Sequence, residues 1–201
     1  ANTNCLVAMR FAKNLTPKNF SAMTRLDHNR VIGAISKKIH VEPQDVTNVV
    51  VWGNVSSSQV VDVSRTKVNG RPLNEFICAE NISKEITQII NSRTNTVYKM
   101  RGASTACSAA NAALHAMKDW LFGTKPGDYV SMAVPVPDSA PYGIQPGIVF
   151  SLPCTVDENG EYHVVEDLAV SERKMVKIRE SEQEVRNEAK ITCEILNIPF
   201  E

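Results

Sequence analysis

The chain has 201 residues, 22 Lys and Arg against 22 Asp and Glu, 43% hydrophobic and 22% charged residues, the composition of an ordinary globular domain able to bury one core of its own. A formal charge of zero argues against a polyanion such as nucleic acid, whose binding draws on an excess of Lys and Arg. No apolar run approaches the roughly 18–20 residues of a membrane span, and residues 1–20 lack the basic start and apolar middle of a signal peptide, so no membrane partner and a cytoplasmic location are expected.

Residues 1–14 read as a short helix carrying Leu6, Met9 and Phe11, an arm that breaks at Thr16-Pro17. Thr24-Arg25-Leu26-Asp27 has the T-x-x-D shape of a capping box, and Leu26, Val31, Ala34 and Ile35 follow near helical spacing, predicting a helix to about Ile39. Val46 to Trp52 (VTNVVVW) is nearly continuous and β-branched, as expected of a strand covered on both faces, and it stops at Gly53-Asn54. A second strand is expected over Val60 to Val68, before the turn at Asn69-Gly70.

Ile82 to Arg101 and Ser104 to Phe122 predict two helices, or one interrupted near Gly102. Strands are expected over Tyr129–Val136, Gly147–Val156 and Glu161–Val165, the last two joined through Asp157-Glu158-Asn159-Gly160. A final helix opens at Ser171, with Met175, Ile178, Val185, Ala189 and Leu196 as its apolar stripe and Glu180, Glu182, Glu184 and Arg186 mostly on its solvated side. Helices packed on a mostly antiparallel sheet make an α+β domain.

Five widely spaced cysteines without a CxxC read as reduced core thiols, and four histidines without HxxxH or HExxH spacing give no metal site. The histidines read as surface or helix-end residues, with His28, beside Asp27 on the helix, a packing or surface residue. Nine glycines never form GxG, GxGxxG or GxxxxGK[ST], so these residues hold no dinucleotide-binding half. Gly143-Ile144-Gln145-Pro146-Gly147 reads as a loop, and Ser56-Ser57-Ser58 as a solvated loop without a nucleophile elbow. The most informative local pattern is Arg25-Leu26-Asp27-His28-Asn29-Arg30, because Asp27 and Arg30 stand three apart on one helix face. A forked guanidinium there can hold a substrate carboxylate, and the carboxylate can orient a general base. A plain helical ion pair worth about 0.3–0.5 kcal/mol is the alternative.

The opening ANTNCL, the run Thr24 to Arg30, Trp52-Gly53-Asn54 with Ser56-Ser57, Asp119-Trp120 with Phe122-Gly123-Thr124, and Tyr129 to Met132 together resemble the malate dehydrogenases of cytosolic type. The resemblance covers nearly all of this chain but only the C-terminal half of that family's subunit. It implies a lactate/malate dehydrogenase C-terminal-domain-like fold, with residues 17–201 as the substrate-binding and catalytic domain and residues 1–16 as an N-terminal arm left from the nucleotide-binding half. The chain, which opens on Ala rather than Met, would be processed or a piece of something longer. It also implies NAD as cofactor, no metal, and a small dicarboxylic 2-hydroxy or 2-oxo acid as substrate. The expected assembly is a homodimer or a complement to a nucleotide-binding half.

By that resemblance Asp27 orients a catalytic histidine, Arg30 clamps the substrate carboxylate, Leu26 lines the nicotinamide pocket and Ser104 and Thr105 line the substrate pocket. The histidine itself would follow Asn54, where this chain has Val55. An isopropyl group neither accepts nor donates a proton, so activity is expected to be abolished or residual. A pseudoenzyme serving as a dimerisation or interaction module is the other expectation. Asp27, deprived of its partner, should be hydrated, paired with Arg30 or protonated.

Overall fold

The computed structural model describes residues 1–200, apart from the side chains of residues 79 and 80. In chain order it comprises α1 (Asn2–Phe11), α2 (Arg25–Ile39), β1 (Val46–Thr47), β2 (Val50–Trp52), β3 (Val60–Asp62), β4 (Lys67–Val68), β5 (Arg71–Pro72), α3 (Ala79–Arg101), α4 (Ala106–Phe122), β6 (Val130–Pro135), β7 (Val149–Val156), β8 (Tyr162–Val164) and α5 (Glu172–Leu196). Every strand pairing is antiparallel, which makes the α+β architecture that of the sequence reading. The sheets run β6-β7-β8, β1-β4-β5 and β2-β3. A bridge between Gly53 and Ser151 ties the end of β2 to β7.

The Val46–Trp52 run works through its period of two. Val50 and Trp52 enter one core with Phe150, Leu152 and Ile178. Val49 and Val51 face the other way, into a second core with Val31, Ile35, Ile82 and Ile86. Both faces are therefore dry. The single strand expected there is split, because Asn48 adopts φ 60° and its side chain accepts from the Tyr129 N–H at 3.0 Å and donates to the Gly127 carbonyl. Asn tolerates the left-handed region better than its β-branched neighbours would. The expected Val60–Val68 strand is likewise two pieces, β3 and β4, separated by residues 63–66, and Asn69-Gly70 makes the tight turn into β5 with both residues at positive φ.

α3 and α4 are distinct helices, divided at Gly102, whose φ of 66° ends the first. The capping box at Thr24 is not formed. Thr24 itself has near-helical angles, and its buried Oγ1 has no hydrogen-bond partner among the described residues, because the Asp27 carboxylate turns to Arg30 instead.

On α5, Glu182 is buried rather than solvated, since the 143–146 loop folds over it. Its carboxylate accepts from the Gln145 N–H, Arg179 and Arg186. Leu196, placed on the apolar stripe, is exposed, and Ser181 and Cys193 occupy the buried face. Only Cys154 and Cys193 are buried core thiols. Cys5 is half-buried, while Cys78 and Cys107, at the edge of α3 and on the outer side of α4, are exposed.

Candidate functional site

The site is built on the first turn of α2. His28, read as either a packing or a surface residue, is buried and fastens this turn to the sheet. The Ser131 N–H points at His28 Nδ1 (3.3 Å), so Nδ1 is the acceptor and the proton sits on Nε2. Ser131 Oγ, which already accepts from the Val51 N–H at 2.9 Å, donates to the same nitrogen at 3.0 Å. Burial, with the nearby Arg25 charge, holds the imidazole well below its usual pKa. A neutral, double-anchored ring thus fixes α2 against β2 and β6.

One residue before it, Asp27 is buried and receives Arg30 Nη1 on its Oδ1 at 2.8 Å, which meets the expectation that it would pair with Arg30. Burial raises the Asp27 pKa, and the guanidinium opposes that rise through charge and hydrogen bond. The other arm of the Arg30 fork, Nη2, donates to Thr94 Oγ1 on α3 at 3.2 Å. Leu26, half-buried, adjoins them at the start of the helix.

Val55 lies in the loop after β2, half-buried beside the buried Asn54. That loop is bolted from behind by α5. Ser181 Oγ accepts from the Asn54 N–H at 2.9 Å, and Asn54 Nδ2 donates to both Glu184 and Glu188 at 3.1 Å. Hydrogen bonds from Ser58, Ser56 and Asn54 outweigh desolvation and hold the Glu184 carboxyl below its ordinary pKa. From α1, Thr3 Oγ1 donates to Glu188 at 3.0 Å, and Asn2 Nδ2 donates to the Gly53 and Val149 carbonyls. Gly53 has φ 98°, and a Cβ there would stand 2.3 Å from Ser181 Oγ. Position 55 is therefore held on a rigid loop.

Ser104 is exposed and Thr105 half-buried, at the junction of α3 and α4. Neither is hydrogen-bonded to Asp27 or Arg30 among the described residues. Sequence reading singled out neither Thr94 nor the Ser181, Glu184 and Glu188 set. These act across 64 to 134 residues of chain, and no local spacing marks them. No group of three or more His, Cys, Asp or Glu side chains among the described residues is arranged to hold a metal ion.

Comparison with known proteins gives this geometry its context. A family model for the lactate/malate dehydrogenase alpha/beta C-terminal domain matches residues 24–195. A malate dehydrogenase of Protochlamydia amoebophila (strain UWE25) is 39% identical over 198 residues, 98% of this chain and 60% of that protein. The lactate dehydrogenase of Trichomonas vaginalis, solved in complex with NADH and oxamate, superposes with a TM-score of 0.90 at 38% identity, over 98% of this chain and 60% of its own. A malate dehydrogenase of Naegleria fowleri gives 0.84 at 34% identity, over 95% of this chain and 58% of its own. The chain thus spans about three fifths of the length of these relatives. With the match reaching from the turn that carries Asp27 and Arg30 almost to the end of α5, the chain belongs to the lactate/malate dehydrogenase family, as its alpha/beta C-terminal domain.

Proposed function

We propose that the chain is the substrate-binding half of an NAD-dependent 2-hydroxy acid dehydrogenase, with malate and oxaloacetate as the substrate pair, whose turnover is abolished or residual because Val55 has replaced the acid–base residue. The observation that carries this reading is the pairing of Arg30 with Asp27 at the head of α2. In this reading Arg30 would be the anion-binding fork and Asp27 the carboxylate that orients a base, and here the two hold each other. Oxidising a hydroxy acid requires a group to take the hydroxyl proton, which contributes about 10²–10⁴-fold in rate. Val55 has no lone pair to offer.

These residues do not fit the dinucleotide itself. A pyrophosphate needs closely spaced glycines between a strand and a helix, and no such run exists in the sequence. The cradle would come from chain outside the 201 residues.

The test is Val55→His in the two-domain protein. A rise of about 10²-fold or more in malate oxidation, lost again on Arg30→Gln, supports the reading. An inert revertant that also fails to bind oxaloacetate would sink it.

A second reading, a non-catalytic module acting by association, is favoured by one feature. Leu114, Met117 and Leu121 form an i, i+3, i+7 apolar stripe on the outer face of α4, continued by Phe122, and all four are exposed. A second copy of this domain, or the remainder of a longer subunit, would cover it.

A further inference from the structure

The formal charge of zero conceals a local concentration of one sign. Between the end of the 53–58 loop with the start of β3, the N-terminal half of α3 and the first turns of α5 lies a cleft of about 530 Å³, within the size range of small-molecule sites. Lys84, Arg173, Lys174 and Lys177 line it, with Glu180 the one carboxylate among its described lining residues. Lys174 is satisfied by Asp62 across the edge of β3, and that ion pair, with Ser64, holds the Asp62 carboxyl below its ordinary pKa. Lys84, Arg173 and Lys177 have no ion-pair partner among the described residues.

We propose that this cleft binds a small polyanion, a molecule carrying two or more phosphate or carboxylate groups, between Lys84 on α3 and Arg173 and Lys177 on α5. Three cations without an ion-pair partner among the described residues share one concavity, which raises the local potential and concentrates anions there, as dispersed surface charges do not. The arginine supplies a fork for two anionic oxygens, and the lysines act as point charges. The hydroxyls of Ser57 and Ser171 at the same walls add neutral donors. The N–H groups of Glu172 and Arg173 at the start of α5, which have no intrahelical acceptor, have the matching sign.

The cleft uses neither Asp27 nor Arg30, and it meets the proposed substrate site only at Ser57 and Ser58, on the loop that carries Val55. A polyanion here would bridge α3 to α5, and its consequence would be a clamp on the two helices rather than chemistry.

The test is calorimetric titration of inorganic pyrophosphate and, separately, of citrate into the protein at low ionic strength, with three proteins compared: unmodified, R173Q/K177Q and Arg30→Gln. Both cleft positions are exposed and have no hydrogen-bond or ion-pair partner among the described residues, so the double variant should keep its thermal midpoint. The expected result is binding of at least one of the two anions, weakened about tenfold or more in R173Q/K177Q, unchanged in Arg30→Gln, and reduced by added salt. Whichever anion binds tighter identifies the preferred group. No binding of either anion up to about 1 mM, equal binding by the double variant, or loss only in Arg30→Gln would each overturn the proposal.

Discussion

Arg30 Nη1 stands 2.8 Å from Asp27 Oδ1, and under the proposed function this same guanidinium is the group that would hold the substrate carboxylate. The guanidinium cannot give its full fork to an incoming anion while Asp27 holds one arm and Thr94 the other. Replacing the competing charge should free it. Asp27→Asn is expected to tighten oxaloacetate binding by about tenfold in the two-domain protein, read by calorimetry. Unchanged or weaker binding would mean that Arg30 is not the anion-holding group.

The same pair makes a stability prediction with a definite sign. Arg30→Ala leaves a buried carboxylate alone. Loss of a fully buried partner costs about 3–5 kcal/mol, and Arg30 is partly hydrated, so about 2–3 kcal/mol is expected near pH 7. Because burial raises the Asp27 pKa, the folded variant takes up a proton before the unfolded chain does. The deficit should shrink as pH is lowered towards the carboxylate range. Urea melts at pH 7 and pH 5 measure it; an equal deficit at both values would count against a charge origin.

His28 predicts the opposite pH trend. Its folded pKa lies well below the ordinary 6.5, so in the window between the two values the unfolded state binds more protons. Stability is therefore complete above about pH 6.5 and falls as pH drops through that window. In His28→Gln the thermal midpoint should be lower at pH 7.5 but less sensitive to acid between pH 7 and 5. A slope identical to the unmodified protein's would remove His28 as its source.

Gly53 and Ser181 form a third testable contact. Alanine at position 53 meets Ser181 Oγ at 2.3 Å and Ser181 Cβ at 2.9 Å, at φ 98°. Overpacking and backbone strain together should cost about 2–4 kcal/mol. Adding Ser181→Gly removes the clash but not the strain, so a double-mutant cycle should recover part of the loss. Full additivity would show that the two residues do not press on each other.

The apolar stripe on α4 should drive association. Leu114→Asp with Leu121→Asp is expected to lower the weight-average mass in sedimentation equilibrium or to raise solubility markedly. A 201-residue chain that sediments as a monodisperse monomer before any change would refute this part.

Much of the architecture was legible because its signals are local. The VTNVVVW run, the Asn69-Gly70 turn and the Gly102 stop each depend on neighbours along the chain. The failures share one cause. Asn48 breaks its strand to serve the turn at residues 127–129, and Glu182 is buried because residues 143–146 fold over it. Each was decided by a partner tens of residues away. At the site, the Asp27–Arg30 pair follows from helical spacing alone, whereas Thr94 on Arg30 and α5 behind Asn54 do not. The charged cleft escaped too, since a total of zero says nothing about where the charges gather.

The fastening of the 53–58 loop by Ser181, Glu184 and Glu188 has a temporal side. On the ribosome, β2 and the loop carrying position 55 emerge more than a hundred residues before the helix that secures them. Until α5 leaves the exit tunnel, Asn54 has no carboxylates to bind and Trp52 lacks part of its cover. The nascent domain must wait with an open groove that only its last long helix can close, which makes that interval the one in which a chaperone would have most to hold.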